Sequence, residues 1–225
     1  MDGVDSISVD AAVYLSAALS AESLLSNGGG SGTVKKASDL RALLGLSDTD
    51  PMGNGIGVAI VDSGIAPVDD LVANIKAFYD FTNGRAWRCR PLPRDGCGHG
   101  THVAGLVAGS GGRSNGQYAG VAPRARLIGL RVLDNSGSGS TSDVIAALQF
   151  ATANKATLGI DVINLSLGHP AFESAATDPL VQAVEAASRA GIVVVVSAGN
   201  VGVNPKTNTI GCTVASSSQE MHHRR

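Results

Sequence analysis

Charge is scarce in this chain. Lys, Arg, Asp and Glu together make up 16% of its 225 residues, and the formal net charge is −2. That balance leaves no basic footprint for a nucleic acid. It also argues against disorder, which combines low hydrophobicity with high charge. No apolar run approaches the ~20 residues that span a bilayer; the longest clear one, Ile192 to Val196, is strand-sized. A membrane partner is therefore not expected. The N-terminus has no basic region followed by an apolar stretch and a small-residue cleavage site, so the chain as written carries no export signal. Cysteines are few, at three. Cys89 and Cys97 flank a Pro/Arg-rich loop; they could bridge in an exported protein or remain two free thiols. Their spacing is not that of a zinc site, and Cys212 has no evident partner.

What is abundant is small. Gly occurs 29 times, which suits tight turns and closely packed strands and helices. The length allows one domain with a real core. Residues 1–34 differ from the rest. Ser6 to Asp10 reads as a short strand, Ala11 to Leu25 as weakly helical, and Asn27 to Gly32 as a flexible linker. A short helix over Ala37–Leu44 is expected next. From Gly55 onward strand and helix signals alternate. Val58–Val61 is fit for a strand buried on both faces. Thr101–Ala108 is a small-residue helix and Leu127–Val132 a strand. Ser142–Asn154 is a helix capped by a Ser/Thr cluster, with Val144, Ile145, Leu148 and Ala151 on one face. Asp161–Leu165 is a buried strand. Asp178–Ala190 is a helix with Asp as cap, Pro179 at its first position and Gly191 just past its end. Ile192–Val196 is again a strand. This alternation predicts an α/β fold: a doubly wound, mostly parallel sheet with helices on both faces. In such sheets the site lies at the carboxyl ends of the strands.

The informative polar residues follow the apolar runs. Asp62 comes directly after Val58–Val61, in Asp62-Ser63-Gly64. Alone it reads equally as a turn former. His99 sits in Gly98-His99-Gly100-Thr101-His102-Val103-Ala104-Gly105, a far more specific pattern. Its small residues let a helix pack tightly with His99 in the first turn. A neutral His there can take a proton from a hydroxyl while an Asp holds its other nitrogen. His102 reads as a supporting or packing residue. Asn200 follows Val193–Val196 in Ser197-Ala198-Gly199-Asn200; its amide can donate to a developing oxyanion, or simply form a turn. Ser166, Leu167 and Gly168 follow a third strand, and Ser136, Gly137, Ser138 and Gly139 a fourth. Extended Gly/Ser backbone at a site edge can pair with a peptide in β fashion.

Together these boxes resemble the subtilisin-like serine peptidases, from about Gly53 to Asn200. The order Asp62 before His99 fits that family's triad order of Asp, His, Ser. The resemblance implies that Asp62 orients His99, that His99 is the general base, and that Asn200 is the oxyanion donor. It implies that Ser136–Gly139 and Ser166–Gly168 clasp an extended protein or peptide substrate from two sides. It makes residues 1–34 the remnant of a propeptide, Val4–Asp10 being similar to that inhibitor's last strand, and 35–225 a partial peptidase domain. It implies export to the extracellular space. Calcium in surface loops is a family habit, but the loop Ser110–Gly116 contains no Asp or Glu, and a hard cation usually takes carboxylates. No metal site is assigned.

The pattern departs from the family after Asn208. The family's serine stands about 150 residues beyond its His, in a Gly-Thr-Ser box opening a helix. No such box occurs here, and Ile210–Arg225 reads as neither strand nor packed helix. The expectation is a serine endopeptidase by family whose nucleophile is absent from these residues, inactive alone and exposing an apolar sheet surface. Two alternatives compete. One is a peptide-binding or regulatory chain that holds a peptide without cutting, or takes its serine from a partner. The other is a nucleotide binder, prompted by Gly53-Asn54-Gly55-Ile56-Gly57; but those glycines precede the strand, whereas a dinucleotide fingerprint follows one. Gly168 and the loop after it are expected to floor an apolar side-chain pocket.

Overall fold

The computed structural model describes residues 8, 10–15, 41, 44–47, 49–82, 92–116, 118–170, 172–197, 199, 203–204 and 209–210. At its centre is β2, Gly57–Asp62, buried at all six positions. A run of small and β-branched residues with no charge before its end can be covered on both faces, and it is. Parallel partners flank it: β4 (Arg126–Arg131) and then β3 (Ile75–Asp80) on one side, β6 (Val162–Leu165) and then β8 (Val193–Val196) on the other. The sequence reading missed β3, whose Ile-Lys-Ala-Phe-Tyr-Asp mixes polar and apolar residues and buries only Phe78 fully.

The pleat sends alternate β2 side chains to two cores. Ala59 and Val61 join Ile128, Leu130, Ile163 and Leu165 beneath α2 (Thr141–Ala153) and α4 (Pro179–Arg189), through Val144, Leu148, Leu180 and Val184. Val58 and Ile60 join Ile65, Leu71 and Leu127 beneath α1 (His99–Ala108), through Ala104 and Ala108. Each fully buried Val, Leu or Ile side chain contributes about 1.5–3 kcal/mol of burial. Helices therefore cover both faces, as the alternating pattern predicts. The caps match too. Ser140 accepts from Asp143 N, and Asp178 accepts from Leu180 N and Val181 N ahead of Pro179. A single turn, α3 (Lys155–Leu158), ends at Gly159 and leads into β6.

One region agrees with the sequence reading and one departs from it. The edge strand β8 bares an apolar face, as expected: Val193 and Val195 are 61% and 47% exposed, and only its other face packs on the core. The helix expected over Ala11–Leu25 is not formed where it can be seen. Ala12–Leu15 is a strand, β1, set antiparallel between β5 (Ser138–Ser140) and β7 (Leu167–Gly168). Tertiary pairing overrides a weak Ala/Ser/Leu helix preference. Ser8 and Asp10 are not in a strand, and the other residues of the strand expected over Ser6–Asp10 lie outside the described residues. Of Ala37–Leu44, only Arg41 and Leu44 are described. Ile210 closes a small ladder, β9 (Val203–Asn204) with β10 (Thr209–Ile210), so the tail begins as a strand where none is expected.

Candidate active site

The sheet register brings the expected residues to one edge. Asp62 pairs with Arg131 across β2–β4, and Val61 with Leu165 across β2–β6. The segments that follow β2, β4 and β6 therefore leave the same carboxyl edge side by side. Beyond β8, Ser197 N donates to Leu165 O at 3.2 Å, so Ser197 stands at that edge as well. Asn200 itself lies outside the described residues.

Asp62 is fully buried, and His99 Nδ1 stands 2.8 Å from its Oδ1 and 2.9 Å from its Oδ2. The carboxylate fixes the ring with Nδ1–H toward Asp62, leaving Nε2 as the nitrogen that can take a proton. Ser63 N also donates to Asp62 Oδ1, at 2.7 Å. The hydrogen bond to Asp62 raises the basicity of His99 above the ordinary imidazole value; burial works against this, and the charges of Asp62 and Asp95 add to it.

Close approach of α1 makes this pair. A Cβ on Gly100 would stand 2.1 Å from Gly64 O and 3.1 Å from Asp62 Cβ, so only glycine lets the helix start rest on the end of β2. Gly98, just before it, holds φ at 92°, in the left-handed region glycine favours. His102 is exposed, not a packing residue, because the small face of α1 turns Ala104 and Ala108 inward instead.

Two supports went unnoticed in the sequence. Arg131 is buried behind the site: Nε donates to Ser63 O at 3.0 Å, Nη1 to Asp80 Oδ2 at 2.9 Å, and Nη2 to Asn135 Oδ1 at 3.1 Å. Burial alone would lift the Asp80 carboxyl, but hydrogen bonds from Arg94, Thr82 and Arg131 outweigh it and carry the value down to about 2. Asp95, in the loop before α1, accepts from that helix's first turn. The signal for Asp95 was legible, an acidic residue just ahead of a helix start; an Arg closing an apolar strand gives none.

On the other side of the edge lies the clasp. Ala12, Val13 and Tyr14 pair with Ser140, Gly139 and Ser138; Tyr14 and Leu15 pair with Gly168 and Leu167. Ser138, Gly139, Leu167 and Gly168 are thus brought together around one extended strand. Ser136 and Gly137 form the turn before β5, held by Asp134, and Ser166 lies between β6 and β7. Val13 is fully buried beside Leu133 and Leu167, while Tyr14 is 52% exposed. Asp10 anchors the approach: its Oδ1 accepts from Ser142 N and its Oδ2 from Ser142 Oγ, both at 2.8 Å. Ala11 O accepts from Thr141 N and Thr141 Oγ1.

Beside the loop 110–116, Asp70 Oδ1 accepts from Ser110 Oγ and Arg113 N, each at 3.1 Å, and Asp69 pairs with the Arg113 guanidinium at 2.8 Å. Cys97 carries a free thiol; Cys89 and Cys212 lie outside the described residues. The glycine-rich stretch Gly53–Gly57 enters β2 at the opposite edge from Asp62, away from the acid–base pair, which removes the ground for a nucleotide site there. Among the described residues no helix is long and apolar enough to cross a membrane.

An Asp–His pair and a strand held between two others stand at the carboxyl edge of a parallel sheet. The Subtilase family's sequence model matches residues 53–219, and the chain belongs to that family. It is 44% identical over 160 residues to Serine protease AprX of Bacillus subtilis (strain 168), covering 69% of this chain and 35% of that protein. To Subtilisin DY of Bacillus licheniformis it is 40% identical over 159 residues, covering 71% of this chain and 52% of that one. Among solved structures, an S41 psychrophilic protease superposes with a TM-score of 0.62 at 35% identity, covering 76% of this chain and 54% of its own. The chain thus spans between about a third and a half of the length of these relatives.

Proposed function

We propose that the chain supplies the acid–base pair and the substrate clasp of an exported serine endopeptidase acting on extended protein segments. The observation that carries this reading is β1: a peptide strand lies antiparallel between β5 and β7, at the same sheet edge as the Asp62–His99 pair. In the proposed reaction, Nε2 of His99 takes the proton of a serine hydroxyl as it attacks the substrate carbonyl. Asp62 holds Nδ1–H and stabilises the imidazolium, which then protonates the leaving amine. Asn200 is proposed as the oxyanion donor on family resemblance. No Gly-Thr-Ser box occurs in residues 1–225, so the nucleophile is proposed to be absent from them.

The same observation favours a second reading. The occupant of the clasp is the chain's own residues 10–15, in the manner of a propeptide, so the clasp holds a peptide without a serine. In that reading the chain binds an extended segment and does not cut it. Intact-mass analysis after exposure to a fluorophosphonate tests the proposal. No adduct is expected. A single adduct lost on His99→Ala would show that a serine within these residues is activated, and would overturn the absence of the nucleophile.

A further inference from the structure

Asp95 takes no part in the proton transfers above, yet it carries more contacts than a helix cap needs. Oδ1 accepts from Gly98 N at 2.8 Å, Cys97 N at 3.1 Å and Ser63 Oγ at 2.9 Å. Oδ2 accepts from Thr101 N at 2.8 Å and Thr101 Oγ1 at 2.6 Å. Its backbone bridges Gly64. Helix α1 has no side-chain cap from Gly98, so its first turn is held by this carboxylate. Between Asp95 and Asp62 stands one hydroxyl. Ser63 Oγ accepts from Gly100 N at 3.1 Å and lies 3.1 Å from Asp62 Oδ1, so its single proton is shared between two carboxylates.

We propose that Asp95 is a positioning residue for His99: it fixes the helix turn from which the imidazole reaches Asp62, and its charge favours the imidazolium formed when His99 takes a proton. The donors keep that charge in place. Burial pushes the Asp95 carboxyl up, but hydrogen bonds from Thr101, Gly98 and Ser63 hold it below the ordinary carboxylate value. Among the described residues, the other charged groups near the ring have partners or are exposed. Asp62 faces it from β2; Arg131, on β4, is paired with Asp80, as is Arg94; His102, on α1 itself, is exposed.

The proposal rests on His99 being the base, but its test does not use turnover. The His99 ring is followed by NMR through a pH titration, its resonance assigned by its loss in His99→Ala. Asp95→Asn is expected to move the midpoint to lower pH. Thr101→Ala, which weakens the cap but keeps both carboxylates, is expected to lower the melting temperature and to move the midpoint less than Asp95→Asn does. Ser63→Ala removes the hydroxyl between the two charges and is expected to leave the midpoint at or above the wild-type value; this arm serves if Asp95→Asn does not fold. An unchanged midpoint in Asp95→Asn, an equal displacement in Thr101→Ala, or a fall in Ser63→Ala would each overturn the proposal. A fluorophosphonate adduct has no bearing on this titration, so the two proposals fail separately.

Discussion

At the acid–base pair the chemistry sits on side chains, whereas at the clasp it sits on backbone. Asp62 and His99 act through three atoms within 2.9 Å of one another, locked by a glycine contact, a buried Arg and a capping Asp. Ser138–Ser140 and Leu167–Gly168 present N–H and C=O groups to a strand. The first region therefore tolerates almost no displacement, while the second tolerates many sequences but little added bulk.

Paired glycine variants break this comparison most strongly. In Gly100→Ala the new methyl meets a backbone oxygen, Gly64 O, at 2.1 Å, and α1 must lift from β2. A loss of about 3 kcal/mol is expected in urea denaturation, the upper part of the usual overpacking cost, together with loss of the imidazole's raised basicity. In Gly139→Ala the methyl meets Val132 O at 2.4 Å, but β5 is short and half-exposed and can give way. A smaller loss is expected, with the His99 titration unchanged. Equal behaviour of the two variants would dissolve the distinction.

A weaker effect separates the supports by pH. The folded-state pKa of Asp80 is depressed to about 2 from 3.8, so its contribution is present above the unfolded value and lost as pH falls through the folded one. Over that window the protein is expected to lose about 2 kcal/mol, and Asp80→Asn to lose the dependence. His99 has the opposite sign. Its folded value is raised, so its contribution is full below the unfolded value near 6.5 and fades as pH rises through the folded value. Melting temperatures of wild type, Asp80→Asn and His99→Ala across pH check both limbs.

How much of this was legible in the sequence follows the same division. A strand buried on both faces is written as an apolar run, so Val58–Val61 was readable, with the polar residue after it; Asp161–Leu165 was readable as a strand, but only Ile163 and Leu165 on one face are buried. Helix ends were readable from Ser140, Asp178 and Pro179, because caps are local chemistry. β3 was missed because Lys76 interrupts its apolar residues, leaving neither a continuous run nor a clean alternation. β1 was misread as helix because its conformation is set by partners more than a hundred residues away. Arg131 was missed because its role exists only once β2 and β4 are brought together; the place of Asp95 ahead of α1 was legible, but its contact with Ser63 was not.

The clasp is proposed as a binding site for extended peptide, and here the chain's own Ala12–Leu15 lies in it. Val13 is the buried anchor of that strand, and a charge there should evict it. The decisive measurement is titration of a labelled peptide copying residues 10–15 into the Val13→Asp chain and into wild type, read by fluorescence anisotropy. Saturable binding to Val13→Asp is expected, weakened by adding Gly139→Ala, with little binding to wild type, whose clasp is occupied. No binding to a folded Val13→Asp chain, or equal binding to both, would contradict it.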